Sequence, residues 1–136
     1  MKYSDTNAPL QCFMNQSDWI KGALKNGKPV GILWHDTGAG NDYIKRYVQP
    51  DDKAANRQEL LKKLGVNQYG NDWNHSSRNA GVNAFIGRLA DDSVTTVQVG
   101  PWDTHAWGCG GSNKGSCNGY TRDAKGNIKW VPEFWI

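Results

Sequence analysis

Histidine and cysteine side chains are among the groups of this 136-residue chain that could bind a metal or transfer a proton, and it has three of each. His35 follows the apolar run VGILW and precedes the small polar stretch DTGAG. A neutral imidazole at the end of a rigid strand is a well-fixed zinc ligand, and zinc with an open position activates water for hydrolysis. The other interpretation is that His35 is simply the first polar residue after a core strand.

A second group of candidate ligands comprises His105, Cys109 and Cys117. Their spacing matches no zinc-finger or zinc-ribbon pattern, and a Gly/Ser-rich loop is a poor frame for ligands, which disfavours a structural zinc site. Together with Cys12 the chain has three cysteines, and an odd number cannot all pair in disulfides within one chain. The N-terminus MKYSDTNAPL lacks the apolar core of a secretion signal, so we expect the thiols to be free.

Composition narrows the class of function. The net charge of +3 comes from scattered basic residues, which gives no footprint for nucleic acid. No apolar run is long enough to cross a membrane. Seven Trp and five Tyr in a chain of mean hydropathy −0.73 suit a groove that binds sugars or peptides.

The elements that would position these residues follow from periodicity and turn signals. Ser17 is a predicted N-cap for a helix over 18–24, and VGILW is a predicted strand. A second helix is predicted from Asp51 to Leu64, with Gly65 as its cap. NAFIGRLA and SVTTVQVG are predicted to form a β-hairpin. Residues 101–123 are predicted to form a long loop, and NIKWVPEFWI is predicted to form a final strand. The buried face of the second helix is predicted as Ala54, Arg57, Leu61 and Leu64, and the helically spaced Tyr43 and Tyr47 as core. We expect one domain over residues 1–136, of the α/β class, with a mixed central β-sheet flanked by helices.

Three of these stretches occur in the order of a known family. LWHDTGAG, NAFIGRLADDSVTTVQVG and THAWGCGG together resemble the type 2 N-acetylmuramoyl-L-alanine amidases of the phage-lysozyme and peptidoglycan-recognition-protein type. The resemblance covers about residues 29–136 and is greatest to endolysin amidase domains of phages of Gram-positive hosts. It implies a zinc enzyme that cleaves the peptidoglycan amide between N-acetylmuramic acid and L-alanine.

The resemblance also implies roles for particular residues. His35 would be the first Zn²⁺ ligand and His105 a catalytic residue beside the substrate, whose imidazole donates a hydrogen bond to a developing oxyanion. Thr37, Asn83 and Trp107 would bind substrate, with Asn83 at a position where some relatives carry a catalytic tyrosine. For Thr37 and its neighbour Asp36 the alternative is that their side chains cap the turn.

The chain also departs from the family. The two further zinc ligands lie downstream of the final strand in those amidases, and no residue here matches them. We therefore expect the N-terminal part of an amidase domain, truncated at the C-terminus, and the apolar ending FWI predicts association with itself or with a complementing chain. The alternatives are a non-catalytic peptidoglycan-binding module and half of a split domain. The expected location is the cytoplasm, with action on the cell wall after release, or the extracellular space by another route.

Overall fold

The computed structural model describes residues 8–22, 34–38, 40–78, 80–104, 117–122, 124–125 and 127–134. In chain order the elements are β1 (Leu10–Gln11), α1 (Asp18–Gly22), the 3₁₀ helix η1 (Ile44–Arg46), α2 (Arg57–Leu64), β2 (Ala84–Arg88), β3 (Val94–Gln98), β4 (Cys117–Arg122) and β5 (Ile128–Phe134). None of the helices in these ranges has the length and apolar character needed to cross a membrane. The predicted strand VGILW lies outside the described residues, except for its last residue, Trp34.

A three-stranded mixed sheet carries the predicted hairpin. Strands β2 and β3 pair antiparallel with Phe85 opposite Val97, and β1 pairs parallel with the other edge of β3. Phe85 and Val97 are buried on one face, whereas Ile86 and Val94 on the other face are exposed. The hairpin predicted from the two runs on either side of Asp91-Asp92 is confirmed.

Helix α2 begins later than the sequence pattern predicts. The carboxylates of Asp51 and Asp52 bind the side chains of Asn15 and Gln16, so this acidic pair ties the chain to the N-terminal segment instead of capping a helix. The helix ends at Leu64 as predicted, and Gly65 follows with a positive φ of 89°. Its buried residues are Leu60 and Leu64, whereas Arg57 and Leu61 of the predicted face are partly buried and Ala54 lies before the helix, so the predicted face was wrong in omitting Leu60.

The last two strands form a separate two-stranded antiparallel sheet, where one mixed sheet was expected. The final strand is confirmed as β5, but the loop prediction was wrong for Cys117–Arg122, which is β4. Strand β4 contains Asn and Gly, which have low β-propensity, and it forms through pairing with β5. Three mixed strands with few helices agree with the α/β class at that coarse level.

The core beside β1 is organised around Trp19, which is fully buried. Its helix is capped as predicted, because the Ser17 hydroxyl accepts a hydrogen bond from the Ile20 N–H. The indole packs directly on the backbone of two glycines: a methyl group on Gly81 would lie 2.1 Å from its Cγ, and one on Gly100 would lie 2.4 Å from its Cη2. Both positions therefore require glycine, because a Cβ atom at either one would overlap the Trp19 indole.

Cys12 is a buried free thiol in this core. Burial, together with the charges of Asp51 and Asp72, raises the pKa of Cys12 from 9.0 to about 12. The thiolate is the reactive form, so at pH 8 we expect alkylation of folded Cys12 to be slower than in the unfolded chain by roughly a thousandfold. Iodoacetamide labelling followed by mass spectrometry of the Cys12 peptide, with and without urea, measures this ratio.

The same shift predicts a dependence of stability on pH. The folded state retains the Cys12 proton between pH 9 and pH 12 while the unfolded state loses it, so the stabilisation is complete below pH 9 and falls as the pH rises towards 12. Replacing Cys12 with Ala should remove this part of the alkaline destabilisation.

In the labelling experiment, equal rates with and without urea would contradict the burial of the Cys12 thiol.

Candidate functional site

His35 lies in the segment Trp34–Gly38, all of whose residues are exposed to solvent. Asp36 Oδ1 accepts a hydrogen bond of 2.8 Å from the Gly38 N–H, and Gly38 takes a φ of 64° that favours glycine. Asp36 therefore caps the turn, which was the simpler of its two predicted roles. The His35 side chain is exposed, as a metal ligand with open positions requires.

Thr37 anchors this segment to the core. Its hydroxyl lies 2.8 Å from the hydroxyl of Tyr47, which itself donates to the Asn41 carbonyl over 2.8 Å. Because a tyrosine hydroxyl has one proton, Thr37 is the donor in the first bond. The predicted substrate contact of Thr37 would then use the remaining acceptor capacity of its oxygen, and it stays a prediction.

Two aromatic rings, those of Phe85 and Trp73, contact Tyr47. Tyr47 stacks on Phe85 with ring centres 5.5 Å apart, and Trp73 meets both rings edge-on at 6.0 and 5.2 Å. Tyr47 is in the core, as predicted, but Tyr43 is not. Residues 44–46 form a 3₁₀ helix with three residues per turn, so positions four apart do not share a face. The hydroxyl of Tyr43 instead donates to Asp92, and this bond raises the pKa of Tyr43.

Asn83 organises the loop that leads to His105. Its side-chain amide donates to the carbonyls of Pro101 and Thr104, at 3.1 and 2.8 Å, and its own carbonyl accepts the N–H of Val99. Both side-chain N–H groups of Asn83 thus donate hydrogen bonds within the protein. A substrate contact of Asn83 would have to be made by its side-chain oxygen. The sequence resemblance did not reveal this positioning role.

Two of the predicted site residues, His105 and Trp107, lie outside the described residues. Trp102, three residues before His105, is about half exposed (48%). What the structure brings together is therefore His35, Thr37 and the Tyr47 cluster, and separately Asn83 with the loop over residues 99–104.

The fit of this region to zinc depends on the number of donor side chains. Within the described ranges, no three His, Cys, Asp or Glu side chains come together in a group that could hold a metal ion. His75, another histidine in these ranges, contacts the buried Asp72 at 3.2 Å. The described residues thus offer His35 as one ligand, where catalytic zinc takes three.

Comparison of the chain with protein-family models, with curated proteins and with solved structures gave no match. The resemblance to the amidases consequently rests on the three motifs and on the geometry described above.

Proposed function

We propose that this chain is part of a peptidoglycan amidase domain, in which Zn²⁺ held by His35 and by two further ligands that no motif of this chain matches would cleave the bond between N-acetylmuramic acid and L-alanine. The observation that supports this most is the exposed imidazole of His35 on a segment that Thr37 and Tyr47 tie to the aromatic core. The bond of Thr37 to Tyr47 anchors the backbone two residues from His35, while the imidazole stays accessible to solvent. In this proposal the protein acts on the cell wall after release from the cytoplasm.

Zinc in such an enzyme polarises the scissile carbonyl and activates a water molecule. Because the described residues supply one ligand where three are needed, the chemistry assigned to this chain is limited to holding and orienting groups. Asp36 and Thr37 fix the backbone around His35, and Asn83 fixes the loop before His105. His105 is proposed to donate a hydrogen bond to the oxygen that gains negative charge during hydrolysis.

A non-catalytic peptidoglycan-binding module is the second candidate function. The favouring observation is the Trp34 side chain, which is 73% exposed directly beside His35. A flat aromatic ring bordered by polar side chains is suited to binding a sugar or peptide, and this requires no metal.

Replacing His35 with Ala tests the proposal, with His75→Ala as the matched control because His75 is also exposed. In a protein that also carries the two further zinc ligands, we expect His35→Ala to weaken zinc binding at least tenfold and to abolish the release of new amino groups from purified peptidoglycan. We expect His75→Ala to retain both properties, and His105→Ala to retain zinc while hydrolysis slows. Zinc content, measured by elemental analysis after dialysis, and amino-group release separate these effects.

The same measurements identify the competing interpretations. Retention on peptidoglycan without zinc binding or hydrolysis would support the binding module and contradict the amidase. Equal zinc affinity in the His35→Ala and His75→Ala variants would show that His35 is not a ligand.

A further inference from the structure

Two arginines converge on one backbone carbonyl, that of Asn71. Arg46 donates to this oxygen through Nη1, and Arg78 donates to it through Nη2 over 2.9 Å. The two guanidinium groups are consequently held within a few ångströms of each other, although both carry a positive charge at all physiological pH values.

This pair of charges has no carboxylate partner within the described part of the chain. The ion pairs found there involve Arg57, Lys63, His75 and Arg88 as the basic partners. Asp72 follows Asn71 directly, but its two oxygens accept from the Asn74 N–H and contact His75 Nε2. The neutral carbonyl of Asn71 offsets little of the repulsion between the guanidinium groups.

The pair is also held in a fixed arrangement. The side-chain amide of Asn67 donates both to the Arg46 carbonyl and to Asn71 Oδ1, so it links the two segments that carry the arginine and its acceptor. The Arg46 guanidinium lies over the Tyr47 ring, 5.5 Å from its centre. Each guanidinium has five N–H donors and uses one on Asn71, which leaves donors for a ligand.

We propose that Arg46 and Arg78 form a binding site for an oxyanion group, a carboxylate or a phosphate, that bridges the two guanidinium groups. Guanidinium forks match the oxygen spacing of both groups, and such charge-assisted hydrogen bonds are about twice as strong as neutral ones. The bound anion neutralises the repulsion that the fold otherwise maintains. This site does not depend on the amidase proposal.

The test uses the whole chain and three probes: inorganic phosphate, a tripeptide with a free C-terminal carboxylate, and the same tripeptide with an amidated C-terminus. Binding is followed by the rise in the thermal unfolding midpoint, against potassium chloride at equal ionic strength. We expect a saturable rise with phosphate or the free tripeptide, and none with the amide. Arg78→Gln should weaken binding at least tenfold, and Arg78→Lys should weaken it less.

Arg88→Gln is the matched control, because Arg88 is already ion-paired with Asp42 over 2.7 Å. It should bind the probes as the unsubstituted chain does. Saturation with phosphate but not with the free tripeptide would assign the site to phosphate ligands, and the reverse to peptide carboxylates. Affinity unchanged by Arg78→Gln, an equal loss in Arg88→Gln, or a rise that chloride reproduces would overturn the proposal.

Discussion

A Gly81→Ala variant is expected to lose about 3 kcal/mol or more of its free energy of unfolding, a large part of the roughly 5–15 kcal/mol typical of a domain. The added methyl group would lie 2.1 Å from Cγ and 2.6 Å from Cβ of Trp19. These atoms are close to the Trp19 backbone and cannot rotate away, so helix α1 or the Gly81 backbone must move. Urea unfolding followed by tryptophan fluorescence measures the loss.

Gly100→Ala provides a second test of the same packing, because its clashes are with the far end of the indole, at Cη2 and Cζ3, and with the end of a flexible side chain, Ile20 Cδ1 at 2.8 Å. Phenylalanine lacks the two indole atoms but retains Cβ and Cγ. In a Trp19→Phe background the contact with Ile20 remains, so the cost of Gly100→Ala should fall without vanishing, whereas the cost of Gly81→Ala should persist.

The control for both substitutions is Gly40→Ala, since a methyl group at Gly40 has no neighbouring atom within 4 Å. Its expected effect is within about 0.5 kcal/mol. Similar stability losses at Gly40 and Gly81 would contradict the packing explanation and point to a general effect of replacing glycine.

Tyr47→Ala is expected to destabilise the protein by about 3–5 kcal/mol, the usual cost of deleting a large aromatic side chain from a core. The ring is 5% exposed, and it contacts both Phe85 and Trp73. Its loss also removes the hydroxyl that holds Thr37, so the segment carrying His35 should become mobile. Urea unfolding and amide hydrogen exchange over residues 36–41 measure the two effects.

Tyr47→Phe separates the ring from the hydroxyl. It keeps the aromatic packing and loses the bonds to Thr37 and Asn41, so we expect a stability loss of about 1–2 kcal/mol but faster exchange over residues 36–41. Unchanged exchange in Tyr47→Phe would show that the hydroxyl does not anchor the site.

The sequence predicted the elements whose signals are local. The β2–β3 hairpin consists of two runs rich in β-branched and aromatic residues on either side of Asp91-Asp92, and the end of α2 is marked by Gly65 after Leu64. For the candidate site it predicted the turn role of Asp36, because an Asp two residues before a glycine is visible in the residues alone, whereas the role of His35 as a ligand stays a prediction.

Features that depend on distant partners were missed or misassigned. Strand β1 has two residues and exists because β3 lies beside it, and β4 exists because β5 does. Asn83 holds carbonyls 18 and 21 positions away, and Arg46 meets Arg78 through the carbonyl of Asn71. Sequence periodicity does not encode contacts between such distant residues, so these contacts are found only in the folded structure.

The parallel pairing of β1 with β3 also constrains the order in which this protein can be assembled. Gln11 and Gln98 are 87 positions apart, whereas β2 and β3 are joined by a short turn. Closing a long stretch of chain costs more entropy than closing a short one, so the hairpin is favoured to form first and β1 to dock on it afterwards. On the ribosome β1 is synthesised before β3, so the side chains of Cys12 and Met14 stay exposed until the edge of β3 has been synthesised.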